Sequence, residues 1–154
     1  MTIVVALTAV VAMPGAATAA QQVNYNVQYC ASGTASKVGY NYLSNGKLTF
    51  AWCYTSTGKM TTLTVRYDRD SDATPRTISV QFGYEWTNSS GGAIAGSHWD
   101  STGAVSIGAG QTWGARFYRS PAEIPPGSLS ECMRGKIKAS GTTVYSTQVR
   151  CTWG

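Results

Sequence analysis

The segment TISVQFGYEW, residues 77–86, places an apolar side chain at every second position from Ile78 to Trp86. A repeat of two residues fits a β-strand, whose side chains alternate between faces, and it does not produce the apolar stripe of a helix. The same pattern predicts strands at 24–30 and 62–68, and no segment keeps a helical repeat over three turns. Glycine-rich turns separate these segments. The chain is therefore predicted to be all-β, an antiparallel β-sandwich or small barrel of about eight to ten short strands.

Residues 38–54 form the clearest predicted hairpin. The dipeptide Asn45-Gly46 favours a type I′ turn, because both of its central residues need a positive φ. This turn sets Leu43 opposite Leu48, and it places Tyr40 and Tyr42 together on the opposite face of the hairpin. Both faces are then apolar or aromatic. The hairpin is predicted to be a central part of a sheet or to hold one surface for a partner.

The four cysteines are Cys30, Cys53, Cys132 and Cys151. Residues 1–20 have the layout of a secretion signal, as described below, and an even number of cysteines after such a signal predicts two disulfides. The cysteines are too far apart in the sequence to form the close pairs of a zinc site. Three connectivities are possible. We favour Cys30–Cys53 and Cys132–Cys151, because each pair brackets a predicted hairpin.

The C-terminal hairpin contains a conflict of register. A Ser140-Gly141 turn pairs Ile137 with Val144 and leaves Cys132 and Cys151 on a diagonal, which is long for a disulfide. A Gly141-Thr142 turn sets the two cysteines directly opposite each other. A disulfide here requires the second register or a bulge.

Residues 1–20 have the layout of a secretion signal, with an apolar run followed by the small-residue site Ala17-Thr18-Ala19. The run from Ile3 to Met13 is shorter than the ~20 residues that span a bilayer. No lysine or arginine precedes it, which departs from the usual signal. We expect residues 21–154 to form a single β-sandwich domain that is secreted and extracellular, without a membrane span.

The formal net charge is +5, but charged residues make up only 12% of the chain, against a usual ~25%. The positive charge favours attraction to anionic polymers. The cations are scattered without a run of three, so no nucleic-acid partner is expected. The few acids argue against acid–base chemistry, and no cofactor is expected.

The only histidine, His98, lies in GSHWDSTG, residues 96–103. Together with Ser97, Asp100 or Glu85 it would supply the groups of a small hydrolase or nuclease. No G-x-S-x-G motif supports a serine nucleophile. Eight residues of the stretch 87–103 are glycine or serine, so we predict a loop with a short strand at 93–95 and a solvated histidine.

Asp68, Asp70 and Asp72 alternate as the oxygen ligands of calcium loops do. The EF-hand pattern fails, because Ala73 stands where glycine is needed and Ser79 where the bidentate glutamate belongs. Arg66, Arg69 and Arg76 would neutralise these carboxylates. The expectation is a polar loop, and no metal ligand is assigned.

The chain has nine tyrosines, five tryptophans and three phenylalanines. Most fall on inward positions, but some tyrosines do not, and rigid aromatic side chains serve binding surfaces. The proline-rich loop at 120–131 is a second recognition element, because little entropy is lost when a stiff loop binds. The candidate binding residues are Tyr25, Tyr29, Tyr40, Tyr42, Trp99, Pro125 and Pro126, with Tyr118 and Tyr145 on less certain faces.

The segments YCASG (29–33) and YTSTGKMTTLTVR (54–66) resemble spore-associated secreted proteins, and the overall layout resembles small β-sandwich adaptor subunits of secreted toxin particles. Neither resemblance transfers a functional residue. The sequence predicts a secreted, non-catalytic interaction module, an adaptor of a secreted complex such as an antibacterial toxin assembly, or an inhibitor. Its partner is another secreted or cell-surface protein. The alternatives are a module that binds polysaccharide or cell wall, and a hydrolase or nuclease that uses His98.

Overall fold

A computed structural model of the protein describes residues 35–55, 60–87, 93–118 and 132–151. The structure shows no helix within these ranges. The described elements are the strands β1 Ala35–Leu43, β2 Gly46–Tyr54, β3 Met60–Arg69, β4 Thr77–Thr87, β5 Ile94–Trp99, β6 Val105–Gly108, β7 Thr112–Tyr118, β8 Cys132–Ala139, β9 Thr143–Ser146 and β10 Arg150–Cys151.

Two antiparallel sheets pack face to face. The first sheet has the strand order β1-β2-β3-β7. The second sheet has the order β10-β8-β4-β5, with β6 also paired to β4 and β9 also paired to β8. The all-β sandwich predicted from the alternation is thereby confirmed.

The inner faces of both sheets supply the core. Alternate residues of the predicted strands are fully buried, as the repeat of two requires. Their side chains belong to both layers and include Leu48, Phe50, Trp52, Leu63, Val65, Val80, Phe82, Tyr84, Phe117 and Ile137. Burying a large apolar side chain contributes about 1.5–3 kcal/mol, so this layer is the main source of stability.

The predicted turn of the first hairpin is wrong by one position. Leu43 pairs with Gly46, and Asn41 pairs with Leu48, so the turn residues are Ser44 and Asn45. Gly46 lies in β2 at φ 148°, and a side chain there would overlap the carbonyl of Asp68 in β3. Glycine is required here because β2 and β3 approach each other too closely for a side chain. The register differs from the prediction by two residues, so each side chain keeps its predicted face.

Within the segment 87–103, the short strand predicted at 93–95 overlaps β5, but the loop predicted at 96–99 is wrong because β5 extends to Trp99. Residues 94–99 pair with β4, with Tyr84 opposite His98 and Trp86 opposite Gly96. A side chain at position 96 would overlap the Trp86 indole, so the glycine makes room for an aromatic ring. The composition of this segment reflects packing against β4 rather than a turn.

In the C-terminal hairpin, one additional residue allows the two cysteines to lie directly opposite each other. Ala139 pairs with Thr143 across a loop of Ser140, Gly141 and Thr142, so neither predicted two-residue turn forms. Lys136 pairs with Ser146, but Cys132 pairs with Cys151, which requires an additional residue in the segment 147–149. The Cys132–Cys151 disulfide forms as predicted, with a Cα–Cα distance of 4.0 Å.

The open edge of β1 is covered by the segment that connects β9 to β10. The Gln148 N–H donates to the Tyr40 carbonyl at 3.3 Å. The Arg150 Nε–H donates to the Val38 carbonyl at 2.7 Å, and the Asn41 amide donates to the Ser146 carbonyl at 2.9 Å. These bonds join the two sheets along one side, and they leave these β1 carbonyls unavailable to another strand.

Several predictions lie outside the described residues. They are the signal at 1–20, the strand at 24–30 and the loop at 120–131. With them lie Tyr25, Tyr29, Pro125, Pro126 and Cys30, so the Cys30–Cys53 pairing stays a prediction. Among the residues that the structure describes, no helix has the length and apolar character needed to cross a membrane.

Candidate binding surfaces

Tyr40 and Tyr42 lie on the outward face of β1, where alternation places them together. Tyr42 is 69% exposed and Tyr40 is 38% exposed. Their rings meet edge to face, with centroids 5.5 Å apart and planes inclined by 70°. We call these two residues, with Lys47 between them, the tyrosine surface.

Lys47 holds the two rings in position. It pairs with Tyr42 across the β1–β2 hairpin. Its Nζ atom lies 5.0 Å from the Tyr40 ring centroid and 5.1 Å from that of Tyr42. Each exposed cation–π contact is worth about 0.5–1 kcal/mol. The tyrosine surface is therefore an ordered arrangement of side chains on a rigid sheet.

A shallow groove of about 370 Å³ runs beside the tyrosine surface. Tyr40, Asn41 and Tyr42 form one wall, and residues 146–148 form the other. The backbone bonds that cover the β1 edge also fix this second wall. Because the Cys132–Cys151 disulfide holds the end of the same segment, the groove has two constrained sides.

His98 does not lie in a solvated loop. Its ring packs on the inner side of the second sheet, 5.6 Å from the Tyr84 centroid and 5.8 Å from the Phe117 centroid. Glu85 follows Tyr84 in β4, and its side chain therefore lies on the opposite face of the sheet. The predicted Glu85–His98 pair is not brought together.

Asp100 ends β5 and stabilises the following turn. Its carboxylate accepts a hydrogen bond from the Thr102 N–H at 3.0 Å, and its carbonyl accepts one from the Gly103 N–H at 3.2 Å. The Gln81 amide also donates to the Asp100 carbonyl at 3.1 Å. These contacts give Asp100 a structural role in the turn.

Trp99 lies on the outer face of the second sheet and is half-buried. It crosses Gly83 of β4, where an added Cβ would come within 2.6 Å of the indole. The Lys136 ammonium lies 4.0 Å from the indole centroid, and the Lys138 ammonium lies 5.3 Å from it. The indole is thus already packed against β4 and β8.

A charged cluster that the sequence reasoning missed surrounds Lys136. Glu85 is 6% exposed and Lys136 is 4% exposed, although both are on an outer face. Arg134 forms an ion pair with Glu85. Burial lowers the pKa of Lys136 below its ordinary value, Glu85 opposes this shift, and Arg134 and Lys138 add to it. The alternation in MRGKIKA, residues 133–139, already aligns these three cations on one face.

The three aspartates of the predicted polar loop do not converge. Asp68 lies in β3, where it accepts hydrogen bonds from Arg66 Nε at 2.8 Å and from the Thr112 hydroxyl at 2.7 Å. Asp70 and Asp72 are exposed in the turn that follows. Among the described residues, no three metal-ligating side chains form a group that could hold an ion.

Arg69 was expected to neutralise those aspartates, but it lies buried and donates to backbone carbonyls instead. It shares the inward positions of β3 with Tyr67 and is 4% exposed. Its guanidinium donates to the carbonyls of Ile107, Arg76 and Pro75. Arg66 is the arginine that pairs with Asp68.

The sequence did not assign Tyr118 and Tyr145 to a face of their strands, and both side chains are exposed. Tyr118 is 52% exposed at the end of β7, and Tyr145 is 39% exposed on β9. In the register of the first sheet, Tyr118 lies across from Thr62, at the corner opposite Tyr42. Tyr118 is therefore separate from the tyrosine surface.

No protein-family model matches the chain, and no match was found among the curated proteins or the solved structures.

Proposed function

We propose that the chain is a secreted, non-catalytic module that binds another secreted or cell-surface protein through the tyrosine surface. The observation that carries the proposal is the exposure of Tyr42 and Tyr40 as an ordered pair beside a groove with two constrained walls. Such a module would act as an adaptor subunit of a secreted complex or as an inhibitor.

Tyrosine suits this role because it buries a large area with few rotatable bonds and keeps a hydroxyl for a hydrogen bond. In protein interfaces, tyrosine, tryptophan and arginine are the most frequent residues whose removal costs binding energy. The β1 backbone fixes the spacing of the two rings, and Lys47 restrains their tilt. Little conformational entropy would then be lost on binding.

Binding to polysaccharide is the second candidate, and the polar groove wall of Ser146, Thr147 and Gln148 favours it. The ring geometry favours a protein. A sugar stacks on an open aromatic face, but Lys47 lies against both rings and their planes are inclined by 70°. Retention on chitin, cellulose or peptidoglycan that falls in Tyr42→Ala would support the polysaccharide instead.

The test is copurification from culture medium with the tagged chain and its Tyr42→Ala and Tyr118→Ala variants. Truncating a central aromatic contact costs about 2 kcal/mol, which is roughly a 30-fold loss of affinity. We expect Tyr42→Ala to lose the partner protein. Tyr118→Ala, which removes an equally large exposed ring at the opposite corner, should retain it. Equal recovery of the same protein by both variants would refute the role of the tyrosine surface.

Secretion is proposed from residues 1–20, with their apolar run and small-residue cleavage site. The protein recovered from the medium should begin at Ala20 or Gln21, which N-terminal sequencing reads directly. An intracellular protein that retains the first 20 residues would overturn this part of the proposal.

A further inference from the structure

A cleft of about 180 Å³ lies between the two sheets, at the end where the β1–β2 turn approaches the β8–β9 loop. Its lining includes the apolar side chains of Ile78 and Ile137 and the polar side chains of Arg69, Tyr67 and Tyr145. The volume is below the roughly 300–1,000 Å³ of sites for drug-sized ligands. The cleft is therefore suited to a small group with one apolar end and one polar end.

Arg69 brings a buried positive charge to this cleft. Its two Nη atoms donate to the backbone carbonyls of Ile107 at 2.9 Å, Arg76 at 3.3 Å and Pro75. The guanidinium forms no ion pair within the described part of the chain, unlike Arg66, which pairs with Asp68, and Arg134, which pairs with Glu85. A buried charge is costly unless an opposite charge or enough hydrogen bonds compensate it.

The donors of Arg69 are not all used. A guanidinium has five N–H groups. Among the described residues, the buried Nε–H has no acceptor, and Nη2, which has two N–H groups, has one. Nε and Nη2 share one edge of the guanidinium, and this edge binds a carboxylate through two parallel hydrogen bonds.

Tyr67 lies close to this guanidinium, and Tyr145 lines the same cleft. Tyr67 donates to the Asn45 carbonyl at 3.1 Å. The pKa of Tyr67 is raised mainly by burial; Arg69 lowers it through charge and a hydrogen bond, whereas Asp70 and Tyr145 raise it. Asp70 is exposed and does not pair with Arg69. Arg69, Tyr67 and Tyr145 thus form one electrostatic group in the lining of the cleft.

We propose that this cleft binds a monocarboxylate with a short apolar body, held by the Nε–Nη2 edge of Arg69 and by contact with the apolar side chains of Ile78 and Ile137. A carboxylate matches both the charge and the donors without an acceptor among the described residues, Nε–H and one N–H of Nη2. A phosphate dianion would bury more negative charge than this single guanidinium compensates. The same chemistry is found in a free organic acid and in the C-terminal carboxylate of a peptide. The proposal does not depend on the tyrosine surface.

The direct test follows the Arg69 Nε–Hε signal of the ¹⁵N-labelled chain by NMR during titration with 3-methylbutanoate. The signal is assigned by its disappearance in Arg69→Lys. We expect a saturable downfield shift, and no such shift with 3-methylbutanamide or with sodium chloride at the same concentration. A response to 3-methylbutanoate equal to that of chloride would overturn the proposal.

A second pair of variants leaves Arg69 and its carbonyl contacts intact. Thr143 is exposed and lines the cleft, whereas the adjacent Thr142 is exposed in the loop outside it. Thr143→Trp should fill the mouth of the cleft and reduce the affinity for 3-methylbutanoate at least tenfold, and Thr142→Trp should leave it unchanged. Equal affinities in both folded variants would contradict the assignment of the site.

The source of the carboxylate is distinguished with N-acetyl-Gly-Gly-Val in its free-acid and amidated forms. Binding of 3-methylbutanoate and of the free-acid peptide supports a site open to both sources. Tighter binding of the free-acid peptide than of 3-methylbutanoate supports recognition of a protein C-terminus, and binding of 3-methylbutanoate without the peptide supports a free organic acid. Binding of the amidated peptide with the same affinity as the free acid would overturn the role of the carboxylate.

Discussion

Removing the Cys132–Cys151 disulfide should lower stability without changing the fold. The bridged residues are 19 apart in the sequence, and closing a loop of this length stabilises the native state by about 3 kcal/mol, through the entropy of the unfolded chain. For a domain of this size the melting temperature should fall by about 10 °C. The Cys132→Ala/Cys151→Ala double variant tests this value.

The native segment has other restraints that should keep it in place in this variant. The Thr147 N–H donates to the Gly135 carbonyl at 2.9 Å, and the Gly135 N–H donates to the Thr147 hydroxyl at 3.1 Å. Urea unfolding of the double variant should therefore remain one cooperative transition with a lower midpoint. The Ser97→Ala/Ser101→Ala variant, which alters two exposed serines, should stay within about 0.5 kcal/mol of the wild type. A loss below about 1 kcal/mol in the cysteine variant would refute the reasoning.

Three further substitutions test burial and close packing. Burial lowers the pKa of Lys136 in the folded chain, so just below pH 10.5 the unfolded chain binds more protons than the folded chain. The free energy of unfolding should therefore rise with pH in this range. Lys136→Met should lose this rise, as measured by urea unfolding at a series of pH values. Tyr67 has a raised pKa, so stability should fall above pH 10 as the unfolded chain ionises first, and Tyr67→Phe should lack this fall in the same titrations. Gly96→Ala should cost about 1–3 kcal/mol by overlap with Trp86, against about 0.5 kcal/mol or less for Ser97→Ala, both measured by thermal unfolding.

Alternation predicted the faces of the strands well because a buried face demands it. Val80, Phe82 and Tyr84 are buried where the repeat of two places them. Even the error in the first turn preserved the faces, because a shift of two residues returns each side chain to the same side. The same repeat also aligns Arg69 with Tyr67 on the inner face, although its charge suggested an outward position.

Predicting turns from glycine content was wrong at positions where the glycine lies in a strand and makes room for close packing. Gly46 and Gly96 both occupy strands because another chain segment or ring fills the space of a side chain. A single sequence does not reveal these long-range contacts. The burial of Lys136 beneath Trp99 depends on the pairing of β5 and β8 with β4, so it too could not be predicted locally.

The candidate surface was predictable only in part. Tyr40 and Tyr42 follow from the alternation in β1, but Lys47 and the wall at 146–148 come from different parts of the chain. The groove exists because the C-terminal segment covers the β1 edge. The separation of His98 from Glu85 depends on the same kind of long-range pairing, since the register of β4 with β5 places them on opposite faces.

The most direct test of the tyrosine surface replaces Tyr42 with the photo-crosslinking residue p-benzoylphenylalanine and irradiates the secreted chain in its own culture medium. The same replacement at Tyr118 is the control. We predict a specific protein adduct from position 42, identified by mass spectrometry, and none from position 118. The absence of an adduct at position 42, or the same adducts at both positions, would contradict the proposal that this surface binds a protein.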